Sequence, residues 1–250
     1  PYAHAGRGRI TCGFYARGSH RIVRCNDCLA EDPRARHILN AVGRAAELQH
    51  IPAYDEDKGT GVLRHAVVRC GYATDDVLLT VVTNVAQLRQ PGRFVSAIRD
   101  AAPEVTSIVQ NVNTRRTNAI LGFTNNTLWG PGTMRDKLLG CTFEIGPTTF
   151  YQTNPAQTEE LYRLAIEGAT LKGGERVLDA YCGCGTIGRT LPSTALPRSA
   201  ASWLPTPRSG WPARAASSAS TSCSWTRRAR APRPSSSTAW PSSRRSAWST

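Results

Sequence analysis

Hydrophobic and polar positions divide the chain into a series of short elements. Ile10 to Tyr15 and Ser19 to Val23 carry β-branched and aromatic residues around Ala16-Arg17-Gly18, which predicts two strands and a turn. Arg34 to His50 places Ile38, Leu39, Val42, Ala45, Ala46 and Leu48 at helical spacing. Val62–Val68 and Val77–Val82 are apolar and β-branched, and Gly71 with Asp75-Asp76 marks a turn between them. Pro91 to Ala101 predicts a helix with Pro91 in its first turn and Phe94, Ile98 and Ala101 on one face. Strands are then expected at Val105–Val109, Ala119–Leu121, Thr127–Trp129, Leu138–Ile145 and Thr148–Gln152. Pro155 opens a further helix reaching Leu171, with Leu161, Leu164, Ala165 and Ala169 as its apolar face, and Gly173-Gly174 stops it.

The next stretch, Arg176 to Thr190, differs in kind. An apolar pair, Val177-Leu178, ends in Asp179; Gly183 and Gly185 follow, and Thr186 to Thr190 suits a helix. This reads as a buried strand, a tight glycine turn and a helix N-terminus, the place where open α/β sheets bind ligands. Gly183, Gly185 and Gly188 spell G-x-G-x-x-G, but no acid follows about 20 residues later as a dinucleotide site requires. Taken alone, the pattern suits a structural strand–turn–helix as well as a cofactor turn. The order of elements predicts an α+β central module over 1–145, the start of a doubly wound α/β domain over 146–190, and then a change.

That change lies in composition. Residues 191–250 hold nine Arg, five of the six Trp, and no Val, Ile, Phe, Tyr, Asp, Glu, Lys or Asn. Such a segment lacks the aliphatic side chains that offset ordering entropy, so a disordered tail is expected. It also carries most of the net charge of +13; residues 1–190 hold 22 basic and 18 acidic side chains, or +4. A mildly basic body permits nucleic-acid binding. The chain does not begin with Met, which suggests a fragment, and has no apolar run long enough to cross a membrane. Eight Cys without a signal peptide fit reduced thiols in the cytoplasm. Cys25-Asn26-Asp27-Cys28 has C-x-x-C spacing, but no second such pair completes a zinc site.

Several segments together carry a family signature: Gly13-Phe14-Tyr15 with Ser19-His20, Ser107 to Asn113, Thr117 to Gly122, Phe150 to Thr158, and Asp179 to Gly188. In this order they resemble the TrmA/RumA-type RNA uracil-C5 methyltransferases. The resemblance implies an incomplete Rossmann-like (class I) methyltransferase domain after the central module, S-adenosylmethionine as cofactor, and rRNA or tRNA as partner. It assigns cofactor contacts to Gln152, Tyr181 and Thr186 and places Asp179, Gly183 and Gly185 in the cofactor motif. An amide suits the amino-acid end of that cofactor, an acid can accept from an ammonium or hydroxyl group, and a ring packs on its apolar and cationic parts.

The resemblance also has gaps. Cys28 resembles one of four iron–sulfur ligands of some members; the other three would precede residue 1, so no cluster is expected here. The family's nucleophile is a Cys in a Ser-Cys-Asn-Pro segment, and this sequence has none. Its thiolate attacks uracil C6 to activate C5. The expectation is therefore that this chain is inactive, and that 191–250 is translated out of frame. Shifting GC-rich codons around Cys223 to Ala231 permits an Asp-Pro-Pro-Arg segment like the family's. The alternatives are a non-catalytic basic RNA-binding fragment and a class I methyltransferase with another substrate.

Overall fold

The computed structural model describes residues 1–6, 8–25, 28–172, 177, 179, 181–191, 203–204 and 222–223. β1 (Tyr2–His4) pairs antiparallel with β2 (Ile10–Cys12), and β3 (Phe14–Tyr15) pairs with β4 (Ile22–Val23). The single strand expected over 10–15 is thus divided at Gly13. A Cβ there would stand 2.1 Å from the Val23 carbonyl oxygen, so only glycine lets the two segments approach. Helix α1 (Pro33–Leu48) starts where Asp32 accepts the Arg34 backbone N–H at 2.9 Å and Pro33 takes the first turn. It ends two residues before the expected His50, which adopts φ 52°.

The centre is a four-stranded sheet in the order β5 (Leu63–Cys70), β6 (Val77–Thr83), β7 (Ser107–Val112), β8 (Thr124–Trp129). β5–β6 and β7–β8 are antiparallel; β6–β7 is parallel and is joined by helix α2 (Pro91–Ala101). Every residue of β6 is buried, as its unbroken apolar and threonine run requires of a strand covered on both faces. Val77, Leu79 and Val81 enter one core with Ile38, Val42, Phe94 and Ile98 of the two helices. Leu78 points the other way, joining Val109, Leu138, Phe143, Ile145 and Tyr162 in a second core. Each fully buried Val or Leu contributes on the order of 1.5–3 kcal/mol.

The second core rests on a hairpin that the hydrophobic pattern did not separate. β9 (Met134–Leu138) and β10 (Cys141–Ile145) pair antiparallel with Leu138 opposite Cys141. Leu139 (φ 46°) and Gly140 (φ 75°) form the two-residue turn, with both residues left-handed as such hairpins demand. The strand expected at Ala119–Leu121 is a loop whose carbonyls bond to Asn113 instead of to a neighbouring strand. Thr148–Gln152 is likewise no strand. The Thr149 N–H and hydroxyl both turn back onto Gly146.

Helix α3 (Pro155–Gly168) is capped by the Asn154 side chain, which accepts the Gln157 N–H at 3.2 Å. Its expected apolar face is corrected. Thr158 and Tyr162 are buried, whereas Leu161 and Leu164 are 59% and 65% exposed. The helix therefore docks by a polar–aromatic stripe. Helix α4 (Thr186–Thr190) follows the glycine turn. Val177 carries no strand; Leu178 and the Gly173-Gly174 stop lie outside the described residues. Of the tail expected to be disordered, only β11 (Trp203–Leu204) and β12 (Ser222–Cys223) are described beyond Leu191, as an antiparallel pair. The rest of that expectation falls outside the described residues.

Candidate cofactor site

The β9–β10 hairpin organises the site. At its turn the Leu139 N–H donates to Glu159 Oε1 at 2.7 Å, which fastens α3. At the start of β10 the Cys141 thiol donates to the Arg189 carbonyl at 3.1 Å, which fastens α4. Between the two helices, the Tyr162 hydroxyl and Thr186 Oγ1 are 2.7 Å apart. Sequence reasoning missed Glu159 and Tyr162. Their only sequence signal was a polar residue and an aromatic three positions apart on α3, which an apolar-face search discards.

The glycine turn closes on itself. The Gly185 N–H reaches the Cys182 carbonyl at 2.7 Å, and the Tyr181 N–H reaches Asp179 Oδ1 at 3.2 Å. Gly183 (φ 56°) and Gly185 (φ 77°) are left-handed, and among the described residues nothing stands within 4 Å of a Cβ built on either. Backbone in that geometry, with open space above it, admits a close-lying ligand.

A cleft of about 220 Å³ lies between α3 and this turn. Gln152, Asp179, Tyr181, Gly183 and Thr186, all marked by the sequence, line it; Gly185 stands outside its wall as the N-cap of α4. Leu138, Pro155, Leu161 and Ile187 give the cleft an apolar side. Tyr181 is 99% exposed, so its ring is free to close over a ligand. Burial, and next the Asp136 carboxylate, push the Tyr151 phenol well above its usual range, so it stays a neutral donor. Burial also raises the Cys184 thiol, which points to the Phe150 carbonyl at 3.6 Å. A protonated thiol so placed is no activated nucleophile.

The residue types fit S-adenosylmethionine: an amide, an acid, an exposed ring, an apolar wall and unobstructed glycine backbone. The cleft is smaller than the ~300–1,000 Å³ usual for a whole ligand of that size, so the described residues enclose part of one. Among the described residues, no three His, Cys, Asp or Glu side chains cluster as metal ligands, and Cys28 stands without such companions. No helix among them is long and apolar enough to cross a membrane.

The other signature segments are structural as well as exposed. The Tyr15 ring meets the His20 ring edge-on at 5.3 Å, and His20 Nδ1 lies 2.7 Å from Asp57. Asn111 and Asn113 are buried and bond to the loop that carries Thr117 to Gly122. Arg64, which the sequence did not single out, is 2% exposed and grips Glu56 through both carboxylate oxygens at 2.9 Å.

No family model matches the chain. An uncharacterised RNA methyltransferase of Lactiplantibacillus plantarum is 42% identical over 185 residues, covering 74% of this chain and 40% of that protein. One of Staphylococcus aureus (strain COL) is 42% identical over 188 residues, covering 75% and 42%. Among solved structures, the Pyrococcus abyssi tRNA (uracil-54, C5)-methyltransferase in complex with S-adenosyl-L-homocysteine superposes with a TM-score of 0.61 at 28% identity, over 74% of this chain and 43% of that one. The chain spans about two fifths of the length of these curated relatives. Sequence identity at that level, reinforced by a shared fold, means that the chain belongs to the TrmA/RumA-type family of RNA methyltransferases.

Proposed function

We propose that this chain is the RNA-handling and cofactor-gripping part of an S-adenosylmethionine-dependent RNA (uracil-C5) methyltransferase acting on rRNA or tRNA. The observation that carries this reading is the convergence of Gln152, Asp179, Tyr181, Gly183 and Thr186 on one cleft. The cofactor would supply an electrophilic methyl group on a positively charged sulfur. Around it, the Gln152 amide and the Asp179 carboxylate bind and orient the polar groups, and the Tyr181 ring covers the apolar and cationic ones. Residues 1–145 serve as the RNA module and 146–190 begin the cofactor domain. The P. abyssi enzyme, named for uracil C5 and solved with S-adenosyl-L-homocysteine, supports the choice of base and cofactor.

The nucleophilic Ser-Cys-Asn-Pro segment is not among these 250 residues, and Cys184 is held protonated. The chain as it stands is thus expected to bind cofactor without transferring its methyl group. Calorimetric titration with S-adenosyl-L-homocysteine tests the site. Gln152→Ala and Tyr181→Ala should each weaken binding by about tenfold or more, as losing a hydrogen bond or a cation–π contact of about 1.4 kcal/mol does. Wild-type affinity in both variants, or no binding at all, would rule the site out. Incubation with labelled S-adenosylmethionine and unmodified RNA should leave the RNA unlabelled; 5-methyluridine in the digest would overturn the expected inactivity.

A further inference from the structure

The loop between β7 and β8 is fixed from below far more firmly than its exposed position requires. Asn113 Nδ2 donates to the carbonyls of Ala119 (2.7 Å) and Ile120 (3.0 Å), and its Oδ1 accepts the Arg115 N–H at 3.3 Å. Asn111 closes the loop's end: its Oδ1 accepts the Gly122 N–H at 2.6 Å, and its Nδ2 donates to the Gly122 carbonyl at 3.1 Å. A Cβ on Gly122 would fall 1.8 Å from the Val112 carbonyl oxygen, so the return of the chain at that point is confined to glycine. Arg64 completes the support by donating to the carbonyls of Asn113 (2.9 Å) and Arg115 (2.8 Å). Asn111, Asn113 and Arg64 are each at most 2% exposed. Burying an arginine and two amides is costly unless every group is satisfied; here Asn113 bonds to this loop, while Arg64 and Asn111 divide their bonds between the loop and Glu56, Thr124 and Asn125.

On top of this base the loop presents apolar surface and positive charge. Phe123 is 85% exposed and Ile120 49%. The Arg115 guanidinium lies over one face of the Phe123 ring, 4.4 Å from its centre, and donates to the Leu121 carbonyl at 3.2 Å. The opposite face of the ring is therefore bare. The Arg116 guanidinium lies against Gly59. Neither Arg115 nor Arg116 has a carboxylate partner among the described residues. A bare aromatic face, an arginine stacked behind it, and two unneutralised charges on a rigid support are the chemistry that receives an unstacked nucleobase and its phosphates. Rigidity matters because a loop already in its binding shape loses little entropy on association.

We propose that the 114–123 loop is a stacking platform for one unpaired RNA base, held against the free face of Phe123 while Arg115 and Arg116 take the flanking phosphates. This rests on the reading that the partner is RNA, and it adds a subsite away from the cofactor cleft. Fluorescence anisotropy with a labelled single-stranded RNA of roughly 12 nucleotides tests it, at salt from about 50 to 200 mM. Phe123→Ala should weaken binding by about 5- to 100-fold with little change in salt slope, whereas Phe123→Trp should keep wild-type affinity or better. Arg115→Gln should reduce the log–log salt slope by about 1. The affinity for S-adenosyl-L-homocysteine should be the same in all of them, so loss of the cofactor reading and loss of this one are separate results. Should Phe123→Ala prove misfolded by circular dichroism, Phe123→Leu replaces it: binding lost in Leu but kept in Trp supports the platform. RNA binding unaffected by removing the ring, no RNA binding by the wild-type chain, or an effect of Phe123 on self-association alone would overturn it.

Discussion

The central sheet and the glycine-turn region are built to different standards. β6 is buried along its whole length, and the buried amides Gln110 and Asn111 of β7 are held in hydrogen bonds. Around the glycine turn, by contrast, Phe150, Leu161, Leu164 and Tyr181 are exposed. Such unevenness is what local-stability arguments expect: the scaffold holds the folding free energy, and the ligand-handling segment is drawn from its low end. A substitution in the sheet should then act on stability first, and one beside the turn on binding first.

The largest effect expected is in the helix–sheet core. Phe94 on α2 is fully buried against β6 and α1. Phe94→Ala should cost about 3–5 kcal/mol, seen as a lower urea midpoint at unchanged slope. Cofactor binding would vanish only along with folding. If Phe94→Ala instead kept its midpoint but lost cofactor affinity, the division of labour between the regions would be broken.

Acid should expose the same asymmetry. Burial, then the positive charges of the amino terminus and Arg64, lower the His65 imidazole to about 3 although Glu56 Oε1 lies 3.6 Å from its Nε2, and its Nδ1 has no hydrogen-bond partner among the described residues. The folded protein thus holds His65 neutral while the unfolded chain titrates near its ordinary 6.5. Between those values the unfolded state binds the extra proton, so stability is full above about 6.5 and falls as pH drops, by at most about 1.4 kcal/mol per pH unit. Chemical denaturation from neutral pH downward checks this, and His65→Phe should flatten the profile. A profile equally steep in His65→Phe would assign the acid sensitivity elsewhere.

How far the sequence reveals each region follows the same line. β5, β6, α1 and α2 are legible because burial on both faces, or on one helical face, writes itself as long apolar periodicity. The β9–β10 hairpin is not, because its turn is Leu139-Gly140 and a leucine at φ 46° gives no turn signal. Of the candidate cleft, the glycines and Asp179 stand out as a strand–turn pattern, whereas Gln152 and Tyr181 are picked out through the family resemblance alone. The struts that set them, Glu159 and Tyr162, are marked by neither, because their meaning lies in which residue they meet. Arg64 hides for the same reason: a lone arginine in a strand reads as solvent-facing until Glu56 and two loop carbonyls are found around it.

A smaller effect sharpens the contrast at the cleft itself. The Tyr162–Thr186 bond links α3 and α4 directly. Tyr162→Phe and Thr186→Val should each cost about 0.5–1.5 kcal/mol. In a double-mutant cycle on cofactor affinity the pair should be non-additive, since either change alone already breaks the bond. Additive losses would mean that the two side chains serve the cleft independently.

The smallest effect separates helical periodicity from actual docking. By spacing, Leu161, Leu164, Ala165 and Ala169 form the apolar stripe of α3, and a charge at Leu164 would be ruinous. In the structure the helix docks through Thr158 and Tyr162, and Leu164 is 65% exposed. Leu164→Lys should therefore change stability by no more than about 0.5 kcal/mol and leave cofactor affinity alone, because a surface side chain away from caps and networks has little to lose. The physical reason is that α3 is anchored by directional bonds, Glu159 to the hairpin turn and Tyr162 to Thr186, so its orientation is set by where those partners stand and not by where its leucines fall. A melting temperature lowered by several degrees in Leu164→Lys would mean that this face is covered in solution, and the contrast between a sealed sheet and an open cleft would have to be redrawn.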